Sequence, residues 1–142
     1  MGRSGLGAAA AVASLLLSLA TAHAAAVKVT IDNVPETRGN VHVDLCQQAT
    51  FLTPNCTINV EVKARRGRMV VMVPNVPPGR YAAVAYHDAN SNGELDTNAL
   101  GMPLEFFGFS NNPPLLMGPP DFKDAAFDVA DKDVSVWVPL RR

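Results

Sequence analysis

Hydrophobic and polar residues alternate along much of the chain after residue 25. Val27, Val29 and Ile31 are each followed by a polar residue. A period of two is typical of a β-strand with one buried face. The same period recurs twice, and further short apolar segments follow it. The predicted strands cover residues 27–31, 41–45, 58–62, 69–73, 81–86, 122–129 and 134–138.

Residues 69–73 differ from the other predicted strands because they form a continuous apolar run. Such a run is typical of a strand that is buried on both faces. Turn-forming residues separate the strands, as in the Pro77-Pro78-Gly79 sequence. No helical period interrupts them after residue 25. The pattern therefore predicts an all-β fold, an antiparallel β-sandwich of about seven strands, transthyretin-like or immunoglobulin-like.

The first 24 residues have the pattern of a secretion signal. Arg3 is followed by an apolar run over residues 8–20, and Ala22-His23-Ala24 provides the small residues of a cleavage site. We expect a cleaved signal peptide at 1–24 and a single β-sandwich domain at 25–142. The apolar run is short for a bilayer, so no transmembrane segment is expected. The protein is predicted to be periplasmic or secreted.

The near-neutral charge of the chain argues against nucleic acid as a partner. The chain has 12 Lys and Arg against 13 Asp and Glu. Loss of Arg3 with the signal peptide leaves 11 − 13 = −2. A domain of this charge lacks the basic surface that binds nucleic-acid phosphates.

Cys46 and Cys56 are predicted to form a disulfide, because an even number of cysteines in an exported chain usually pairs. Alternation places Cys46 on the opposite face of its strand from Val41, Val43 and Leu45. Cys56, in contrast, would lie on the same face as the apolar residues of the strand that follows it. A bulge or a frayed strand end would reconcile the two.

The segment that begins at Asp88 resembles a calcium-binding loop. Oxygen-bearing side chains occupy positions one, three, five and nine, and Gly93 occupies position six. Calcium takes six to eight oxygen ligands, and this spacing would supply four side chains and a backbone carbonyl from position seven. The predicted Ca²⁺ ligands are Asp88, Asn90, Asn92, Glu94 and Asp96.

The match with an EF-hand ends at position twelve, which is Ala99 instead of a bidentate Glu. Asp96, Asn98 or Glu105 could complete the shell. With few carboxylates, we expect weak binding, on the order of 10⁻⁴ to 10⁻³ M. The alternative is an ordinary turn, because Asp, Asn, Ser and Gly are also turn residues.

The segment 99–120 is unusually apolar for an irregular connection. It is expected to cover the sandwich core as a lid, or to remain exposed and bind a protein, peptide or glycan partner without a metal. The residues that would form this binding surface are Phe106, Phe107, Phe109, Leu115, Leu116 and Met117.

Catalysis is the least favoured function. His87 precedes Asp88, and a small hydrolase could use this pair as a general base. However, none of the serines lies in a recognisable nucleophile motif. We therefore expect no enzyme activity.

Residues 86–98 also carry a resemblance to a known family. Together with Gly101-Met102-Pro103 and the segments 108–112 and 122–127, they resemble an uncharacterised secreted bacterial family, domain of unknown function 2141. The turn at residues 78–81 is similar to that of prealbumin-like accessory domains. The resemblance implies a small exported β-domain without an assigned activity. The sequence is thus interpreted as an exported, non-catalytic binding or structural module whose calcium loop orders the apolar segment after it.

Overall fold

The computed structural model describes Met1, Gly2, Gly5, Gly7 and residues 24–142. Most of the predicted signal peptide therefore lies outside the described residues. The described part contains eight strands and one helical turn. These are β1 (Ala25–Val34), β2 (Asn40–Cys46), β3 (Ile58–Lys63), β4 (Gly67–Val76), β5 (Gly79–Asp88), β6 (Phe107–Phe109), α1 (Phe122–Ala125), β7 (Ala126–Val129) and β8 (Val134–Pro139).

The strands form two packed sheets. The three-stranded sheet has the order β4-β1-β8, and the five-stranded sheet has the order β3-β2-β5-β6 with β7 also paired to β5. One half of β5 pairs with β7 and the other half with β6. The β1–β8 pair is parallel and the other pairs are antiparallel.

The core lies between the sheets and follows the alternation of the sequence. Val27, Val29 and Ile31 are fully buried on β1, and Val41 and Val43 are fully buried on β2. Their polar neighbours point to the outer faces, as a period of two requires. The predicted all-β sandwich is confirmed.

Three details differ from the predicted strands. The segment 99–120 contains β6, which has three residues and is too short to show a period. The predicted strand at 122–129 begins with the helical turn α1. Burial of residues 69–73 on both faces was a wrong prediction, because Val70 is 52% and Met72 is 50% exposed. They lie on the uncovered outer face of the three-stranded sheet.

The predicted disulfide is confirmed, since Cys46 and Cys56 are bonded. Cys46 is the last residue of β2, where it lies opposite Ala82 of β5. Cys56 lies before the first residue of β3. The conflict in alternation disappears because Cys56 belongs to the loop and not to the strand. Within the described residues, no helix has the length and apolar character to cross a membrane.

The disulfide should contribute strongly to stability. Replacing Cys46 and Cys56 together by Ala removes a cross-link that closes a loop with a sequence separation of 10. In the chain-entropy model the loss is about 3 kcal/mol. We expect a lower urea midpoint with an unchanged far-ultraviolet spectrum, and reduced wild-type protein should unfold like the variant. A change below ~0.5 kcal/mol would contradict this account.

Candidate functional site

The outer face of the five-stranded sheet is divided into a polar and an apolar half. On the polar half, His42 of β2 lies between Glu61 of β3 and Tyr86 of β5. The apolar half, over β5, β6 and β7, is covered by a small second core. Its residues are Phe51, Ala82, Val84, Phe107, Phe109, Leu115, Phe122 and Ala125.

A polar groove of about 600 Å³ lies over the polar half. The sheet forms its floor. The loop closed by the disulfide forms one wall, and the turn at residues 93–95 forms another. Its lining residues are His42, Asp44, Thr53, Pro54, Cys56, Asn59, Glu61, Tyr86, Gly93, Glu94 and Leu95.

The carboxylate of Asp88 joins the sheet to this turn. Asp88 is fully buried at the end of β5. Its Oδ1 accepts the backbone N–H of Asn92 at 3.1 Å, and its Oδ2 accepts that of Gly93 at 2.8 Å. Nε2 of His42 lies 3.2 Å from Oδ2. Burial raises the pKa of Asp88, but the hydrogen bonds from Gly93, Asn92 and His42 outweigh burial and lower it below its usual value. Asp88 is therefore a buried anion at neutral pH.

Two aromatic rings continue this network into the groove. His42 stacks on Tyr86, with ring centroids 4.7 Å apart and an interplanar angle of 2°. The Tyr86 hydroxyl donates to the carbonyl oxygen of Gly93 at 3.1 Å. Burial and the surrounding carboxylates, Asp44 first among them, raise the pKa of Tyr86. The hydroxyl consequently remains a donor, and both the N–H and the C=O of Gly93 are hydrogen-bonded.

Four of the five predicted calcium ligands converge. The Asp96 carboxylate accepts Nδ2 of Asn90 at 2.7 Å and Nδ2 of Asn92 at 2.8 Å. Asn92 is in turn bonded to Asp88 through its backbone. The Glu94 side chain is separate from this cluster, being exposed at the rim of the groove. The loop thus brings Asp88, Asn90, Asn92 and Asp96 together.

The oxygens of this cluster already accept hydrogen bonds from the loop itself. Oδ1 of Asn90 accepts the backbone N–H of Asn92, and Oδ1 of Asn92 accepts that of Glu94. Within the described residues, no three His, Cys, Asp or Glu side chains are grouped so as to hold a metal ion. A cation would therefore depend on the two amides and on rearrangement of their side chains.

Asn98 and Glu105, which were predicted along with Asp96 to complete the shell, both use their side-chain oxygens on backbone N–H groups instead. Glu105 is buried, and its carboxylate accepts the backbone N–H of Ala89 at 2.9 Å and of Asp96 at 3.1 Å. Oδ1 of Asn98 accepts the N–H of both Leu100 and Met102. Glu105 instead fastens the two ends of the loop to the apolar segment.

The predicted pair of His87 and Asp88 is separated by the strand's alternation. His87 is buried on the inner side, where its Nε2 donates to the carbonyl oxygen of Arg38 at 2.6 Å. His42, which the sequence analysis did not select, is the histidine beside Asp88. The polar phase of β2 places His42 on the outer face, but the β2–β5 pairing that brings it to Asp88 is not visible in a local pattern.

Some of the residues predicted to form a binding surface are packed against the two cores, and others are exposed to solvent. Phe109 is buried, while Phe106 and Phe107 are half-buried against the two cores. Leu116 is 84% exposed and Met117 is fully exposed. These two residues border an apolar cleft of about 470 Å³, which has Phe107 and Phe109 among its lining residues.

The fold and the disulfide define a small all-β sandwich domain. The chain belongs to the family described as an uncharacterized protein conserved in bacteria, DUF2141, whose model matches residues 29–136. This confirms the resemblance seen in the sequence. No curated protein and no solved structure matches the chain.

The buried Asp88 should make stability depend on pH. Because its folded pKa is lowered, its contribution is fully present well above the unfolded value of about 3.9, and is lost as the pH falls through the folded pKa. We expect Asp88→Asn to lower the free energy of unfolding by about 1–3 kcal/mol at pH 7 in EGTA. In urea titrations, the difference in the free energy of unfolding between wild type and Asp88→Asn should become smaller near pH 3. A difference in the free energy of unfolding that is the same at pH 7 and pH 3 would contradict the conclusion that Asp88 is ionised.

Proposed function

We propose that this chain is an exported, non-catalytic binding module in which the loop 88–96 binds Ca²⁺ and the ion fixes the wall of the polar groove. Export rests on the predicted signal peptide, and the disulfide agrees with an oxidising compartment. The observation that carries the calcium proposal is the convergence of Asp88, Asn90, Asn92 and Asp96.

The two amides are placed so that rotation of their side chains would accommodate a cation at this point. Asn90 and Asn92 now direct Nδ2 at Asp96, and rotation of each amide would direct Oδ1 there instead. Two amide oxygens beside a carboxylate repel one another unless a cation lies between them. The rotation would break the two bonds that these oxygens accept from backbone N–H groups. That loss agrees with the weak affinity expected from the ligand set.

The charge within this segment of the chain also favours a cation, and Arg38, which lines a pocket with Asn90 and Glu105, is paired with Glu36 at 3.1 Å. Residues 81–122 contain no Lys or Arg, whereas Asp88, Glu94, Asp96 and Glu105 all lie in that interval. Opposing positive side chains are thus absent from the loop and from the segment that follows it. Oxygen ligands of this kind prefer hard cations such as Ca²⁺.

Binding of an ion to the loop would affect the groove, because Asp88 belongs to the ion site and is also hydrogen-bonded to the wall of the groove. Asp88 accepts the N–H of Gly93, and Tyr86 donates to its carbonyl oxygen. Gly93 and its neighbours form one wall of the groove. An ion that draws Asp88 and Asp96 together would therefore reduce the motion of this wall. Through Glu105 it would also order the start of the apolar segment.

The test is thermal unfolding in EGTA and in 5 mM Ca²⁺, with Mg²⁺ as the ionic control. A dissociation constant on the order of 10⁻⁴ to 10⁻³ M implies a stabilisation of about 1–2 kcal/mol at ~5 mM. For a domain of this size the melting point should rise by about 3–10 °C. An equal rise in Mg²⁺, or none in Ca²⁺, would make the loop an ordinary turn.

Two variants locate the ion. Asp96→Asn removes a converging carboxylate and should abolish most of the Ca²⁺ shift. Glu94→Gln removes the same charge from a side chain outside the cluster and should retain the shift. Asp96→Asn is preferable to Asp88→Ala, because Asp88 is buried and bonded to the backbone even without a metal.

A second candidate function is binding of an apolar peptide in the cleft beside Leu116 and Met117, without a metal. The exposure of these side chains above a floor of phenylalanines favours it over glycan binding. Selection of peptides from a library in EGTA should yield apolar sequences that Leu116→Glu no longer binds. Leu100→Glu is the control, since Leu100 is 87% exposed but does not line the cleft. Equal binding by both variants would exclude the cleft.

A further inference from the structure

We propose that β4 pairs in antiparallel fashion with β4 of a second copy of this chain, forming a two-fold symmetric dimer. β4 is ten residues long and ends the order β4-β1-β8. Within the described residues, its other side has no strand partner. Unpaired N–H and C=O groups along such an edge are a template for another strand.

The other strand edges are short, charged or covered. β3 has six residues and carries Glu61 and Lys63. β6 and β7 have three and four residues. The end of β8 is covered by β6, where Gly108 lies against the Pro139 carbonyl oxygen so closely that a side chain would not fit. These are the usual means by which sheets prevent edge pairing.

β4 lacks these protections over residues 69–73, which contain no charge, Gly or Pro. Met69, Val71 and Val73 point into the core and anchor the strand there. Val70 and Met72 point outward and are 52% and 50% exposed. The edge is therefore apolar and unpaired over residues 69–73, which favours a strand as its partner.

A second copy fits this edge because the strand is complementary to itself. In an antiparallel pair centred on Val71, Val70 lies opposite Met72 of the second copy, and Met72 lies opposite its Val70. Side chains that face each other across an antiparallel pair lie on the same face of the sheet, so both pairs bury apolar surface. Any other partner would need a matching apolar strand, which the second copy already contains.

Charge does not oppose this pairing. Arg68 is the charged residue of β4, and Asp32 of β1 already binds it, with Nε–Oδ1 at 2.6 Å and Nη2–Oδ2 at 3.0 Å. In the register centred on Val71, Arg68 would lie opposite Pro74 of the second copy and not opposite another cation. Pro74 lacks an N–H, so hydrogen-bonded pairing would be confined to residues 69–73.

Sedimentation equilibrium of the oxidised domain (residues 25–142) over 5 to 500 µM tests the proposal. A strand pair of this length is a small interface, and we expect a dissociation constant on the order of 10 to 100 µM. Val70→Lys places two like charges in the interface and should weaken dimerisation at least ~10-fold. Ser135→Lys adds the same charge to the same sheet face, on β8, and should leave the dimer unchanged. Melting curves of both variants establish that they are folded.

A second measurement tests the register. A Val70→Cys/Met72→Cys variant should form dimers cross-linked at positions 70 and 72 on mild oxidation, identified by peptide mapping. A monomer throughout the concentration range would overturn the proposal. So would a dimer that Val70→Lys leaves intact, or cross-linking that fails in a dimeric sample.

Discussion

An ionised carboxylate that is wholly removed from solvent determines the arrangement of this site. Asp88 cannot remain charged without donors, because burial of an unpaired anion costs several kcal/mol. The donors come from His42 on the neighbouring strand and from the backbone of Asn92 and Gly93. Gly93 can turn its N–H inward because it adopts a φ of 82°, which glycine tolerates without strain. The position of the turn is thus a consequence of satisfying one buried charge.

The two outer faces of the sandwich have different characters. The five-stranded sheet carries a covered apolar half and a polar groove, and the Cys46–Cys56 loop and the turn after β5 meet over that groove. The three-stranded sheet has no such cover in the described residues. Trp137 is exposed on this face, and its Nε1–H donates a hydrogen bond to Oδ2 of Asp32 at 2.8 Å. One outer face is therefore recessed and polar over half of its area, whereas the other is open.

Local patterns in the sequence predict much of the fold but less of the site. Alternation identifies β1, β2 and β3 because each residue's exposure follows its position in a strand. It does not identify β6, which has three residues and is defined by its pairing with Val84–Tyr86. The spacing from Asp88 to Asp96 predicts a cluster of side chains, and four of the five lie together while Glu94 lies apart. The places of His42 and Glu105 depend on contacts 46 and 16 residues distant, respectively. Such contacts arise from tertiary pairing, which a local pattern cannot contain.

The parallel pairing of β1 with β8 joins the two ends of the domain, with Val27 beside Val134 and Asp32 beside Pro139. The central strand of the three-stranded sheet therefore acquires one of its two neighbours only after nearly the whole chain has been made. Contacts of such long sequence separation slow folding, because the intervening chain must be closed first. The three-stranded sheet therefore cannot be completed before residues 134–139 are available to pair with β1.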